Sequence, residues 1–249
     1  LGSSLIDDVT LIQRKRVALR DVIGLFLRHL KSLAEREAGR PIDSVVLGRP
    51  VRFVDHDDAA DRRAETELVN IAKAQGFRHV ETQFEPVAAA LAYERELGRE
   101  ELSLIVDLGG GTSDFVVARL SPERARSADR SQDILGRTGV HIGGTDFDRQ
   151  LSIAQVMPHL GYFTRVGEKQ LPMPRHLYHD LATWHLIPSV YTPDNLRYLR
   201  HVLPMAEEPH LIRRLIDVLT NRKGHHIASE VEAAKIALSD HPRTVLKIP

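Results

Sequence analysis

Across 249 residues, enough for one or two ordinary cores, 34 lysines and arginines balance 34 aspartates and glutamates. A net charge of zero argues against a dominant nucleic-acid or anionic-membrane surface, and the absence of cysteine excludes disulfides, thiolate zinc sites and cysteine nucleophiles. No apolar run approaches the ~20 residues of a membrane span and the N-terminus lacks a charged-then-apolar signal pattern, so the expectation is a soluble, cytoplasmic protein with no membrane and no nucleic-acid partner.

Residues 21–38 read as an amphipathic helix, with Val22, Phe26, Leu30 and Leu33 at helical spacing. Residues 44–48 read as a short buried strand stopped at Pro50. A helix over 61–75 follows, with Gly76 as its C-cap, then a strand over 79–82. Glu85-Pro86 opens an alanine-rich helix over 87–97, since proline is tolerated in a first helical turn. After a strand–hairpin–strand unit, residues 121–133 read as a polar, charged loop and 134–141 as a strand. Thr145 is placed to N-cap a helix beginning at Asp146, with Asp148 completing a Thr-x-x-Asp box. Residues 172–239 are helical in pattern, broken by prolines and Gly224, and 244–248 resemble the start of a strand. Strand–helix alternation followed by helices indicates an α/β protein with a mostly helical lobe.

The most informative stretch is Asp107-Leu108-Gly109-Gly110-Gly111-Thr112-Ser113-Asp114, set between two apolar runs that read as buried strands. The glycines therefore form a hairpin tip and do not open a helix. Glycine permits positive φ and a close approach of backbone to ligand, and successive N–H groups in such a turn make an anion-binding concavity. Asp107 is placed to hold a hydrated Mg²⁺, and Thr112 adds a hydroxyl. A lysine-bearing Walker loop and a Gly-x-Gly-x-x-Gly dinucleotide loop are both missing. The plain alternative is a glycine-rich turn in an ordinary hairpin.

Taken together, the motifs resemble the ATPase domain of DnaK-type heat-shock chaperones, a hydrolase of actin-like (ribonuclease H-like) fold. Ser44 to Pro50 resembles the family's strand ending in proline, and Glu85-Pro86-Val87-Ala88-Ala89-Ala90 its Glu-Pro-x-Ala-Ala-Ala helix. Asp107 to Asp114 is similar to its second phosphate loop, Gly143-Gly144-Thr145-Asp146-Phe147-Asp148 to its Gly-Gly-x-Asp-Phe-Asp segment, and Val231 to Ser239 to its adenosine-binding helix. Gly48-Arg49-Pro50-Val51-Arg52-Phe53 and the long helical stretch before Glu232 resemble the short, divergent YegD-type bacterial DnaK-like proteins.

The resemblance implies ATP/ADP and Mg²⁺ as cofactors, with protein clients or co-chaperones as partners. Glu85 would position the attacking water or the metal's water shell, Asp107 would hold Mg²⁺ through water, and Gly109, Gly110, Gly111 and Thr112 would contact the β- and γ-phosphates. Gly143 and Gly144 would complete the nucleotide site, and Glu232, Lys235 and Ser239 would line the adenosine pocket. It implies four divisions: residues 1–98 as the end of a first lobe, 99–142 as the second-lobe core with the phosphate hairpin, 143–243 as a helical subdomain, and 244–249 as a return strand. The chain begins at a point equivalent to well inside the family's domain, without the first phosphate hairpin, and Ile236 stands where the family has an adenine-stacking arginine. Weak or absent ATP binding by this chain alone is therefore expected.

Each assignment has a plainer counterpart. Glu85 suits a helix N-terminus by charge alone, Glu232 and Lys235 suit an i,i+3 surface pair, and Gly143-Gly144 suits a tight helix entry. His176 and His179 share a helical face near His185, but no carboxylate stands as a third metal ligand. The competing functions are a sugar or metabolite kinase of the same superfamily, a nucleotide-gated filament or scaffold, and a nucleotide sensor that hardly turns over.

Overall fold

The computed structural model describes residues 9–12, 15–127, 130 and 132–248. The chain divides into two compact units, residues 1–141 and 142–249.

The first unit opens with an antiparallel hairpin, β1 (Val9–Ile12) and β2 (Lys15–Ala18), which runs into α1 (Leu19–Ala38). Gly39 ends α1 at φ 64, a left-handed cap that glycine adopts without penalty. α1 turns Ile23 and Leu27 against Ile71, Ala72 and Phe77, leaving Phe26, Leu30 and Leu33 exposed. β3 (Ser44–Arg49) and β4 (His79–Phe84) pair in parallel from Ser44↔His79 to Arg49↔Phe84, joined by α2 (Asp58–Ala74). α2 starts one turn before the sequence suggested because Asp57 caps it, accepting from the Ala60 N–H at 2.8 Å. Gly76 takes the left-handed conformation expected of it, at φ 90.

α3 (Glu85–Glu94) begins directly off β4 and packs on an antiparallel meander of β5 (Glu101–Leu108), β6 (Ser113–Leu120) and β7 (Ile134–Val140). Val51, Val87, Ala90, Val116, Ala118 and Leu120 form one hydrophobic cluster. The reading of β3 and β5 as buried strands is corrected. Leu102, Leu104, Val106 and Leu108 stand 48–69 % exposed on one face of β5, and Val46 of β3 is 64 % exposed. A continuous apolar run suggests burial on both faces, but only the side of β5 carrying Ile105 is packed. The loop read as polar and charged carries a partly buried ion network. Arg130 Nη2 lies 2.9 Å from both Glu94 oxygens, Arg130 and Arg124 pair with Asp133, and the Ser121 N–H donates to Glu94. Residues 128, 129 and 131 of that loop lie outside the described residues.

The second unit is mainly helical. α4 (Gly144–Leu151) continues through a π-helical turn, Ser152–Val156, and a 3₁₀ turn, Met157–Leu160. A short hairpin, β8 (Arg165–Val166) with β9 (Leu171–Pro172), precedes α5 (Arg175–Ala182), α6 (Ile187–Val190), α7 (Pro193–Val202), α8 (Pro209–Thr220) and α9 (Gly224–Asp240). Prolines at the first positions of α7 and α8 explain how a proline-punctuated stretch stays helical. Tyr178, Leu181, Ile187, Leu199, Ile212 and Leu215 are buried in its core. Residues 244–248 form no strand, contrary to expectation; Leu246 and Ile248 pack, half-buried, against the helical core, and Pro249 lies outside the described residues. Among the described residues no helix is long and apolar enough to cross a membrane.

Candidate functional site

β5 and β6 pair as far as Asp107↔Asp114 and Leu108↔Ser113, and Gly109 to Thr112 form the tip. The Gly109 N–H donates to the Thr112 carbonyl at 2.8 Å and closes the turn. None of the three glycines has a left-handed φ, which corrects the reason given for them from sequence. A Cβ on Gly110 or Gly111 would meet nothing within 4 Å. Their contribution is an exposed backbone without side chains.

Three carboxylates converge beneath this tip. Asp107, at the end of β5, is half-buried. Asp114, opposite it on β6, is buried and its Oδ1 accepts from the Val51 N–H at 2.9 Å. Glu85 projects from the first turn of α3 and lies over Gly48 of β3, where an added Cβ would be 3.2 Å from Glu85 Cγ and 3.3 Å from Oε1. Partial burial pushes the Glu85 pKa upward, and the Asp107 and then the Asp114 charges add to it. A hydrated divalent cation fits this arrangement, because Mg²⁺ binds through one or two carboxylates plus waters and would relieve their mutual repulsion. Among the described residues, no group of three histidines or carboxylates is spaced to chelate a metal directly.

Two supporting residues were not singled out from sequence. Gly139 of β7 faces Asp114 in register, and a Cβ there would land on Asp114 Oδ1 and come 3.4 Å from Val51 Cβ. Arg49, 4 % exposed, binds Asp61 at 2.8 Å and Glu65 at 2.6 Å and lies between the Phe53 and Phe84 rings, at 4.7 and 5.0 Å. It fixes the end of β3, one residue beyond the glycine beneath Glu85. The one available signal was an arginine inside an apolar strand, followed by acids at helical spacing on α2.

The remaining predicted residues lie in the second unit. Gly143 is the N-cap of α4, and its N–H donates to Asp146 Oδ2 at 3.1 Å. The Thr145–Asp148 box is therefore corrected: the cap is two residues earlier and Asp146 supplies the carboxylate. Asp148 instead binds Lys235, whose Nζ is 2.8 Å from Oδ2 and 3.1 Å from the Gly144 carbonyl. Asp148 Oδ1 is equally near Nζ but badly angled and makes no hydrogen bond. The suggested Glu232–Lys235 surface pair is not formed, since Lys235 ties α9 to α4 while Glu232 is exposed without a salt bridge among the described residues. Ser239 and Ile236 are exposed further along the same face of α9. His179 Nε2 meets the Tyr162 hydroxyl at 3.3 Å.

A family model for Hsp70 protein matches residues 7–157, more than half of the chain. The chain belongs to the Hsp70 family. Members are ATP-hydrolysing chaperones, and the matched span carries the Glu85 helix, the glycine hairpin and the Gly143-Gly144 entry to α4. The mixed helix-and-sheet architecture agrees with that membership.

Proposed function

We propose that the chain is part of the ATP-binding and ATP-hydrolysing domain of a cytoplasmic DnaK-like chaperone of the YegD type, with an actin-like fold. The observation that carries this reading is the bare glycine tip flanked by Asp107 and Asp114, with Glu85 held beside both, in an Hsp70-family chain. In this reading residues 1–98 close a first lobe, 99–142 form the second-lobe core and 143–243 the helical subdomain.

Phosphoryl transfer asks a protein mainly for positioning and charge stabilisation. Gly109, Gly110, Gly111 and Thr112 contact the β- and γ-phosphates. Asp107 would hold Mg²⁺, and the ion would supply charge neutralisation at the phosphates. Glu85, on the rigid start of α3, positions the attacking water or the metal's water shell. Gly143, Gly144, Glu232, Lys235 and Ser239 serve the nucleoside end, with Lys235 and its partner Asp148 keeping α4 and α9 in register. Protein clients and co-chaperones follow from the same assignment.

Phosphate release from Mg-ATP by the full-length protein tests the assignment. Asp107→Asn is expected to lower turnover by roughly 100-fold or more, several kcal/mol of barrier. Near-native turnover in that variant would remove Asp107 from the site.

A further inference from the structure

The helical unit contains a cavity of about 320 Å³ whose walls include Asp148, Leu181, Trp184, His225, Ser229 and Glu232. Clefts that hold small organic ligands start at roughly this size, about 300 Å³. Its base is apolar and buried, from Leu181, Ala182 and Val231. Among the described residues the Trp184 indole N–H and the Glu232 carboxylate have no hydrogen-bond or ion-pair partner. Trp184 is 56 % exposed, and His185 is its only ring neighbour among the described residues, meeting it edge-on at 5.4 Å. An aromatic face is thus left open beside an apolar base and an acceptor.

That combination suits a flat heteroaromatic group carrying N–H and O–H donors. It does not call for an organic cation, because Lys235 already compensates Asp148 and leaves Glu232 as the single uncompensated carboxylate. His225, Ser229 and Glu232 recur at helical spacing on one face of α9, and Ile236 is the next residue of that row. Ile236 is 59 % exposed and offers no planar surface, whereas Trp184 does.

We propose that Trp184 is the aromatic platform on which the nucleoside of the bound nucleotide stacks, with Glu232 accepting from its hydroxyl or amino donors. The inference rests on the nucleotide-binding reading above and moves the base contact from α9 to the segment after α5.

Trp184 is the only tryptophan, so its emission reports the cavity directly. Titration of the whole chain with adenosine should change that emission saturably, and Ala228→Leu, which fills the cavity from α9, should abolish the response. By calorimetry Trp184→Leu should weaken adenosine binding roughly 5- to 150-fold, the range for base–aromatic stacking, while Trp184→Phe stays within a few-fold. Adenosine binding unchanged in Trp184→Leu would overturn the inference, as would a silent Trp184 while Mg-ATP still binds; either result leaves the nucleotide reading intact. If the full-length protein binds neither adenosine nor Mg-ATP, both fall together. Should Ala228→Leu fail to fold, the Leu and Phe variants at 184 decide the matter alone.

Discussion

Asp114 is the carboxylate on which the geometry beneath the hairpin tip depends. It is 2 % exposed, and its Oδ1 accepts the Val51 N–H at 2.9 Å across 63 residues of chain. Asp114→Ala removes a charge-assisted hydrogen bond and strands a buried N–H, a loss of about 1.5–3 kcal/mol. At about 2–4 °C per kcal/mol for a chain of this size, the melting temperature should fall by roughly 3–12 °C. Asp114→Asn keeps an acceptor of the same shape and should cost less than about 1 kcal/mol. The two variants should behave alike in one respect, since both delete a charge that raises Glu85. Thermal melts and an NMR titration of the Glu85 carboxyl separate these effects: stability distinguishes Ala from Asn, while the Glu85 pKa falls in both. Wild-type stability in Asp114→Ala, or equal damage from Asn, would refute the argument.

Arg49→Ala should destabilise by about 3–5 kcal/mol in urea unfolding, because Asp61 and Glu65 are left without their shared cation, and Arg49→Lys should recover little of it, lacking the planar group that lies between Phe53 and Phe84. Burial alone would raise the Asp61 pKa, but the Arg49 hydrogen bond and the Phe53 N–H outweigh it and hold it low. The stability this provides is present above the ordinary carboxylate value of 3.8 and lost as pH falls through the folded value, so Arg49→Ala should also flatten acid unfolding below about pH 4. Glu85 has the opposite sign. With its folded pKa raised above 4.5, its contribution is full below that value and lost as pH rises through the folded one, so Glu85→Gln should remove that part of the stability–pH slope and leave the neutral-pH protein no less stable.

What could be read from sequence was local. The glycine tip, the Glu85-Pro86 helix start and the Gly76 cap are each written within a few neighbouring residues, so turn chemistry and periodicity suffice. The entry to α4 was misjudged because Thr145, Asp146 and Asp148 all suit a cap, and the deciding bond, Gly143 N–H to Asp146, depends on backbone geometry. Asp148 was assigned to that cap because its actual partner, Lys235, lies 87 residues away. Arg49 looked like a departure from a family pattern until α2 brought Asp61 and Glu65 to it. The Trp184 cavity collects residues from α4, α5 and α9, and no sequence window contains all three.

The alternating exposure along β5 divides the strand into two classes of mutational freedom. Ser103, Ile105 and Asp107 point to the packed side, where Ile105 meets the α3 core and Asp107 meets Glu85. Leu102, Leu104, Val106 and Leu108 point the other way and carry the adhesive character of the surface. Polar replacements at those four positions should change solubility and self-association while leaving the packed face that carries Ile105 and Asp107 unaltered. The strand that positions the candidate chemistry can therefore be made less sticky without altering that chemistry.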